Sequence, residues 1–255
     1  MKAVVLAGGI GTRLAPYTRI LPKPLLPVGD RPILEIIIGQ LRDAGVDEVV
    51  IATGHLSRLI ETFFGDGADH GVSISYARET EPLGTAGPLA MIDGLDETFL
   101  MLNGDVLITP QFEELLATHR ASGAVATIAT SVEEITLDYG VVLKGDHVDG
   151  IRRIVGFEEK PTIVRDVSTG IYALEPKVVE YVAPGERLDF PELIQRLLDA
   201  GEPVAAFEHT GFWMDVGQLH HLEAAVREYE EDAERFAGDS AVPAELLEQL
   251  RRDQP

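Results

Sequence analysis

Four prolines, Pro16, Pro22, Pro24 and Pro27, stand inside one stretch, residues 6–28, which reads LAGGIGTRLAPYTRILPKPLLPV. Proline fixes φ, lacks an N–H and restricts the residue before it, so this stretch is not an α-helix. The apolar run Ala3-Val4-Val5-Leu6 leading into it has strand length and strand composition. Gly8, Gly9 and Gly11 surround a turn where backbone N–H groups can approach an anion closely. Arg13 and Lys23 then supply two cations in a chain whose 43 Asp and Glu outnumber its 21 Lys and Arg. A strand, a glycine turn, two cations and a proline-stiffened loop together form a phosphate-handling device. Two familiar phosphate loops do not fit. Walker A needs Gly-Lys-Ser/Thr, but Thr12-Arg13 follow Gly11; the dinucleotide fingerprint needs a third glycine where Leu14 stands.

Downstream, strand and helix signals alternate. A helix is expected over 32–44, with Pro32 in its first turn and Gly45 as its stop. Strands follow over 46–53 and 72–77, with a helix over 57–64 capped by Ser57 between them. A helix over 85–95 precedes a buried strand, 99–102, that ends at Asn103-Gly104-Asp105. This spacing argues for βαβ units and a mostly parallel sheet, whose ligands sit beyond the carboxyl ends of the strands. The glycine turn and Asp105 both fall at such ends, so they can meet in space. The second half reads as short strands over 124–132, 140–144, 147–151, 154–158, 168–174 and 203–208. Turn signals such as Lys144-Gly145-Asp146 and Asp149-Gly150 separate them. A helix over 190–200 follows Asp189, a good N-cap.

The net charge of -22 repels nucleic acid and anionic membranes, so neither is an expected partner. No apolar run is long enough to span a bilayer, no signal peptide precedes the first strand, and there is no cysteine. These features favour a cytoplasmic protein. Anionic substrates would have to rely on local cations, backbone N–H groups and a metal ion.

The pattern GGxGTRLxPxTxxxPKPLxPV resembles the signature of the sugar-1-phosphate nucleotidylyltransferases, the nucleotide-sugar pyrophosphorylases. Gly8, Gly9, Gly11, Thr12, Arg13, Leu14, Pro16, Thr18, Pro22, Lys23, Pro24 and Leu25 match it. The resemblance implies an α/β fold: a Rossmann-like, mostly parallel mixed sheet with flanking helices, plus a smaller sugar-binding β lobe. It implies one nucleotidylyltransferase domain over 1–236. About 1–110 form a nucleotide-binding lobe, about 111–217 a sugar-phosphate lobe and 218–236 a closing helix, before a short tail over 237–255. The substrates implied are an NTP and a sugar 1-phosphate, and the cofactor is Mg2+.

The same resemblance assigns roles. Arg13 would neutralise the departing pyrophosphate, and Lys23 would hold the α-phosphate. Asp105 and Asp215, the latter in Trp213-Met214-Asp215-Val216-Gly217, would ligate Mg2+. Leu6, Gly8, Gly9, Gly11, Thr12 and Asp105 would line the nucleotide. In Phe157-Glu158-Glu159-Lys160-Pro161, Lys160 would meet the sugar phosphate and Glu159 a sugar hydroxyl. Gly140, Thr169 and Gly170 would lie at the sugar. The base would be read by Glu81-Pro82-Leu83-Gly84-Thr85-Ala86-Gly87, with polar groups from Glu81 and Thr85 and room at Gly84. That run resembles the guanylyltransferase branch acting on mannose 1-phosphate and related heptoses. Uridylyl- or thymidylyltransferase activity is the alternative, and Gln218-Leu219-His220 departs from the usual continuation after the second aspartate. A silent nucleotide-sugar-binding relative should have lost catalytic charges; Arg13, Lys23, Asp105, Lys160 and Asp215 are all present.

In the tail, Leu219, Leu222, Val226, Tyr229, Ala233 and Phe236 recur three and four apart on one helix face. The stripe reads as a helix packed on its own domain, with a homodimer interface as the alternative. His220-His221, adjacent on that helix, read as structural. A short final helix is expected over 244–252.

Overall fold

A computed structural model describes residues 1–237; the helix expected over 244–252 lies outside them. Strand β1 (Lys2–Ala7) leads through the proline loop to a two-residue pair, β2 (Pro27–Val28) and β3 (Arg31–Pro32). Then come α1 (Ile33–Asp43), β4 (Glu48–Thr53), α2 (Ser57–Phe64), β5 (Ser73–Arg78), β6 (Phe99–Asn103), β7 (Val106–Ile108) and α3 (Phe112–Ser122). The second half holds β8 (Ala126–Thr136), β9 (Val141–Val148), β10 (Ile151–Glu158), β11 (Thr162–Leu174), α4 (Phe190–Asp199), β12 (Val204–Glu208), β13 (Trp213–Asp215) and α5 (Leu219–Glu231).

Seven strands form one sheet in the order β12-β8-β11-β6-β1-β4-β5. β1 pairs parallel with β4 and β6, β4 with β5, and β8 with β12; β11 alone runs antiparallel to its neighbours, β6 and β8. The sheet is therefore mixed and mostly parallel. Both faces are covered, which is why the central strands are continuous apolar runs. Ala3, Val5, Val49, Ile51 and Leu102 pack with α1, α2 and α3; Val4, Phe99 and Met101 pack with α4 through Phe190, Leu193 and Leu197. Each fully buried Leu or Ile in these layers contributes about 1.5–3 kcal/mol. The carboxyl ends of β1, β4, β5 and β6 share one edge of the sheet, and the residues that follow them meet there.

Several local expectations are corrected. Helix α1 begins at Ile33, with Pro32 extended just before it and Gly45 at φ +82 just after. Ser57 does not cap α2; Leu56, at φ 57, holds that position without a side-chain bond. The helix expected over 85–95 is a single 3-10 turn, Gly87–Met91. The N–H groups of Ala86 and Gly87 both bond to the Leu188 carbonyl, and Pro88 contributes none. Helix α3 was not foreseen; it buries Phe112, Leu115, Leu116 and His119. Lys144-Gly145-Asp146 is not a turn but lies inside β9. The hairpin of β9 and β10 reverses at Asp149-Gly150, both with positive φ, as a two-residue turn of that type demands.

Helix α5 packs on its own domain through Ala225 and Tyr229, and Phe236 is buried just beyond it, while Leu219 stays exposed. Tyr229 lies against Gly29, where a Cβ would sit 2.7 Å from its ring. No helix among the described residues is long and apolar enough to cross a membrane.

Candidate active site

The site starts where β1 ends. The proline loop contains no α-helix, only three single 3-10 turns, Thr12–Leu14, Tyr17–Arg19 and Lys23–Leu25. Gly11 opens the first at φ 66, and its carbonyl accepts the Thr18 hydroxyl at 2.7 Å and the Leu14 N–H at 2.9 Å. A Cβ at Gly11 would lie 2.8 Å from the Thr18 methyl, so glycine is needed for both torsion and space. The third turn buries the stem of Lys23 and delivers its ammonium to the edge of the sheet.

Two carboxylates wait there. Asp105 stands in the turn between β6 and β7, held by the Gly104 N–H donating to the Leu6 carbonyl at 2.8 Å. Asp215 ends β13, which pairs antiparallel with β7; the Val216 N–H donates to the Asp105 carbonyl at 2.9 Å. Asp215 thus lies opposite Val106 in the β13–β7 pair, next to Asp105. Lys23 Nζ bonds directly to Asp105 and lies 3.5 Å from Asp215 Oδ1. Arg13 closes the group. A Cβ on Gly217 would fall 3.2 Å from Arg13 Nη2 and 3.0 Å from an Asp215 carboxylate oxygen, so the ends of both side chains lie against this glycine. His221 supports the arrangement by bonding through Nδ1 to the Asp215 carbonyl at 2.8 Å, a structural role of the kind expected for this pair.

At the opposite side of the glycine turn stands a second glutamate, one that the sequence reading did not single out. Glu81 is exposed. Glu79, just past the end of β5, is half-buried, accepts the Leu83 N–H at 2.9 Å and sits 2.6 Å from where a Cβ on Gly8 would be. Burial raises its carboxyl above the ordinary glutamate range, partly offset by the Leu83 bond. The signal was available: Glu79 occupies a parallel-strand carboxyl end, as Asp105 does. Gly84 and Thr85 lie behind Glu79, against residues 188–190.

The sugar-side residues fall into two groups. Gly170, at φ 78 in a bulge of β11, packs against the Asn103 side chain, which joins that segment to the Asn103-Gly104-Asp105 turn. Thr169 beside it is buried. Its hydroxyl donates to the Ala129 carbonyl at 2.9 Å, and its carbonyl accepts the Trp213 indole N–H at 2.8 Å. Its side chain is thus used inside the protein. Gly140 and Glu159 meet at the base of the β9–β10 hairpin, where a Cβ on Gly140 would strike the Phe157 ring and lie 3.1 Å from Glu159 Oε2. Lys160 follows with φ 46, exposed. Among the described residues no hydrogen bond or ion pair joins this hairpin group to the two aspartates.

Comparison with known proteins bears on the family and the fold. Residues 2–232 match the family described as nucleotidyl transferase. Over 247 residues the chain is 35% identical to a UTP–glucose-1-phosphate uridylyltransferase of Synechocystis, covering 89% of this chain and 63% of that protein. Over 230 residues it is 40% identical to a mannose-1-phosphate guanyltransferase of Yarrowia lipolytica, covering 86% of this chain and 61% of that one. The chain thus spans about three-fifths of the length of the curated relatives it matches. A crystal structure of a Bacillus anthracis protein assigned as a glucose-1-phosphate thymidylyltransferase superposes with a TM-score of 0.72 at 25% identity, covering 92% of this chain and 98% of that one.

Proposed function

This chain belongs to the nucleotidyl transferase family, and from that membership we propose that it transfers a nucleotidyl group from an NTP to a sugar 1-phosphate. An oxygen of the sugar phosphate attacks the α-phosphorus of the NTP, the bond from that phosphorus to the bridging oxygen breaks, and pyrophosphate leaves. The observation that carries this reading is the convergence of Lys23 on Asp105 and Asp215 beside Arg13, at the end of the glycine turn. The attacking group is already ionised at neutral pH, so no general base is required. The obstacle is repulsion between anions: two unit charges 4 Å apart repel by about 1 kcal/mol in water and about 4 kcal/mol at a partly screened protein surface. Positioned cations remove that obstacle.

In this reading Lys23 holds the α-phosphate, and Arg13, whose guanidinium can bind two oxygens at once, holds the departing pyrophosphate. Two hard carboxylates converging on one cation form the donor set of a Mg2+ site completed by phosphate and water oxygens. Asp105 and Asp215 would hold the ion, and it would supply charge neutralisation on the phosphate oxygens.

GTP is the proposed donor, with a mannose- or heptose-like sugar phosphate as acceptor. Guanine presents N1–H and N2–H side by side, a pair that one carboxylate can accept, and Glu79 offers such a carboxylate next to the glycine turn. Uridylyl transfer is the second reading, favoured by the relative from Synechocystis. Pyrophosphate release measured for GTP, UTP and dTTP, each with mannose 1-phosphate and glucose 1-phosphate, separates them. The expected result is the highest kcat/KM for GTP, by about tenfold or more. A win for UTP or dTTP with every acceptor would overturn the guanylyl assignment while leaving the transfer reaction standing.

A further inference from the structure

The loop over 82–87 is held from behind by another element. The Thr85 N–H donates to Oδ1 of Asp189 at 3.1 Å, and the Thr85 hydroxyl oxygen accepts the Phe190 N–H at 2.7 Å. This reciprocal pair is reinforced by three backbone bonds. The Ala86 and Gly87 N–H groups donate to the Leu188 carbonyl, at 2.9 and 3.1 Å, and the Leu188 N–H donates to the Leu83 carbonyl at 2.9 Å. The approach is close enough to require glycine: a Cβ on Gly84, at φ +78, would lie 2.5 Å from the Leu188 carbonyl oxygen and 2.7 Å from Asp189 Oδ1.

The anchor is itself well fixed. Asp189 caps α4 in a reciprocal capping box with Glu192. Phe190 stacks on Tyr172 of β11, ring centroids 3.6 Å apart. The front of the same loop carries the Leu83 N–H that bonds to Glu79. One short loop therefore lies between two carboxylates, Glu79 on the side of the glycine turn and Asp189 on the side of α4.

We propose that Thr85 and Asp189 are positioning residues that hold the loop, and through the Leu83 N–H the Glu79 carboxylate, in the geometry that binds the nucleotide base. Neither needs to touch the nucleotide. The proposal rests on the reading above that Glu79 faces the base. Asp189 has two carboxylate oxygens and serves two donors, Glu192 N–H and Thr85 N–H. Serine at this position still caps the helix but has a single oxygen, so it gives up the loop while keeping the cap. Valine at position 85 keeps the shape and loses the acceptor.

The test is calorimetric titration of GTP into the full chain and its Thr85→Val, Thr85→Ser, Asp189→Ser and Glu79→Gln variants, with melting temperatures and the KM for mannose 1-phosphate measured in parallel. Thr85→Val and Asp189→Ser should each weaken GTP about three- to tenfold, the range set by one lost hydrogen bond. Thr85→Ser should bind as the parent does, and the KM for mannose 1-phosphate should not move. If Thr85→Val and Asp189→Ser bind GTP normally while Glu79→Gln weakens it, the positioning role is overturned and the base reading stands. If Glu79→Gln also binds normally, the base reading fails and the proposal falls with it. A loss of melting temperature alone, or equal weakening of both substrates, reduces the pair to packing and likewise overturns it.

Discussion

At the scale of single residues, the account turns on a cation between two carboxylates. Asp105→Asn and Asp215→Asn should each lower kcat by about 10²-fold or more, as expected for loss of a preorganised charge, while circular dichroism shows the fold retained. Ordinary turnover in either variant would remove that residue from the phosphate-handling group. Arg13→Ala should lower kcat by a similar factor with little change in the KM for the sugar phosphate, because its side chain lies by Gly217 and Asp215 rather than at the hairpin. A change confined to that KM would place Arg13 at the sugar instead. Asp105 was legible because it ends an apolar run at a strand's carboxyl end. Asp215 needed its aromatic-glycine frame, since nothing in local sequence tells that β13 pairs with β7. Glu79 was not legible beside Glu81, because the two are two apart in one polar run and local sequence does not tell the half-buried carboxylate from the exposed one.

At the scale of elements, the helix foreseen over 85–95 failed for a tertiary reason. The N–H groups of Thr85, Ala86 and Gly87 bond to Asp189 and to the Leu188 carbonyl, about a hundred positions away, which fixes the path of this segment in a way no local propensity encodes. The β9–β10 hairpin was cut too finely for a related reason. Gly145, read with Lys144 and Asp146 as a turn signal, lies inside β9, where a Cβ would press on Val155, so it marks close approach rather than a turn. Helix α4, by contrast, announced itself through Asp189. Its link to the preceding turn gives a pH-dependent prediction. The Arg196 side chain bonds to Glu186 and holds its carboxyl down at about 2, helped by the Ala183 N–H. A carboxyl depressed on folding stabilises the folded state above its ordinary value of 4.5, and that contribution is lost as pH falls toward 2. Glu186→Gln should therefore be less stable than the parent in urea at pH 7, with the difference narrowing as pH falls below 4.5. A difference that stays constant with pH would show that the pair's charge is irrelevant.

At the scale of the whole molecule, the sheet order explains how one site draws on the full chain. β1 lies between β6 on one side and β4 and β5 on the other, so the glycine turn, Glu79 and Asp105 leave one common edge. Antiparallel β11 then returns beside β6 and brings Gly170 to Asn103, while β13 adds Asp215. The alternating strand and helix signals made the parallel half readable. The antiparallel return was not readable, because register across β6 and β11 depends on packing between distant residues. The central claim is attack at the α-phosphorus, and isotope tracing tests it most directly. Wild-type protein with Mg2+, mannose 1-phosphate and GTP labelled with ³²P at either the α or the γ position should place the α label in the nucleotide sugar and the γ label in pyrophosphate. Appearance of the γ label in orthophosphate or on the sugar, or no turnover with any NTP and sugar 1-phosphate, would contradict the account.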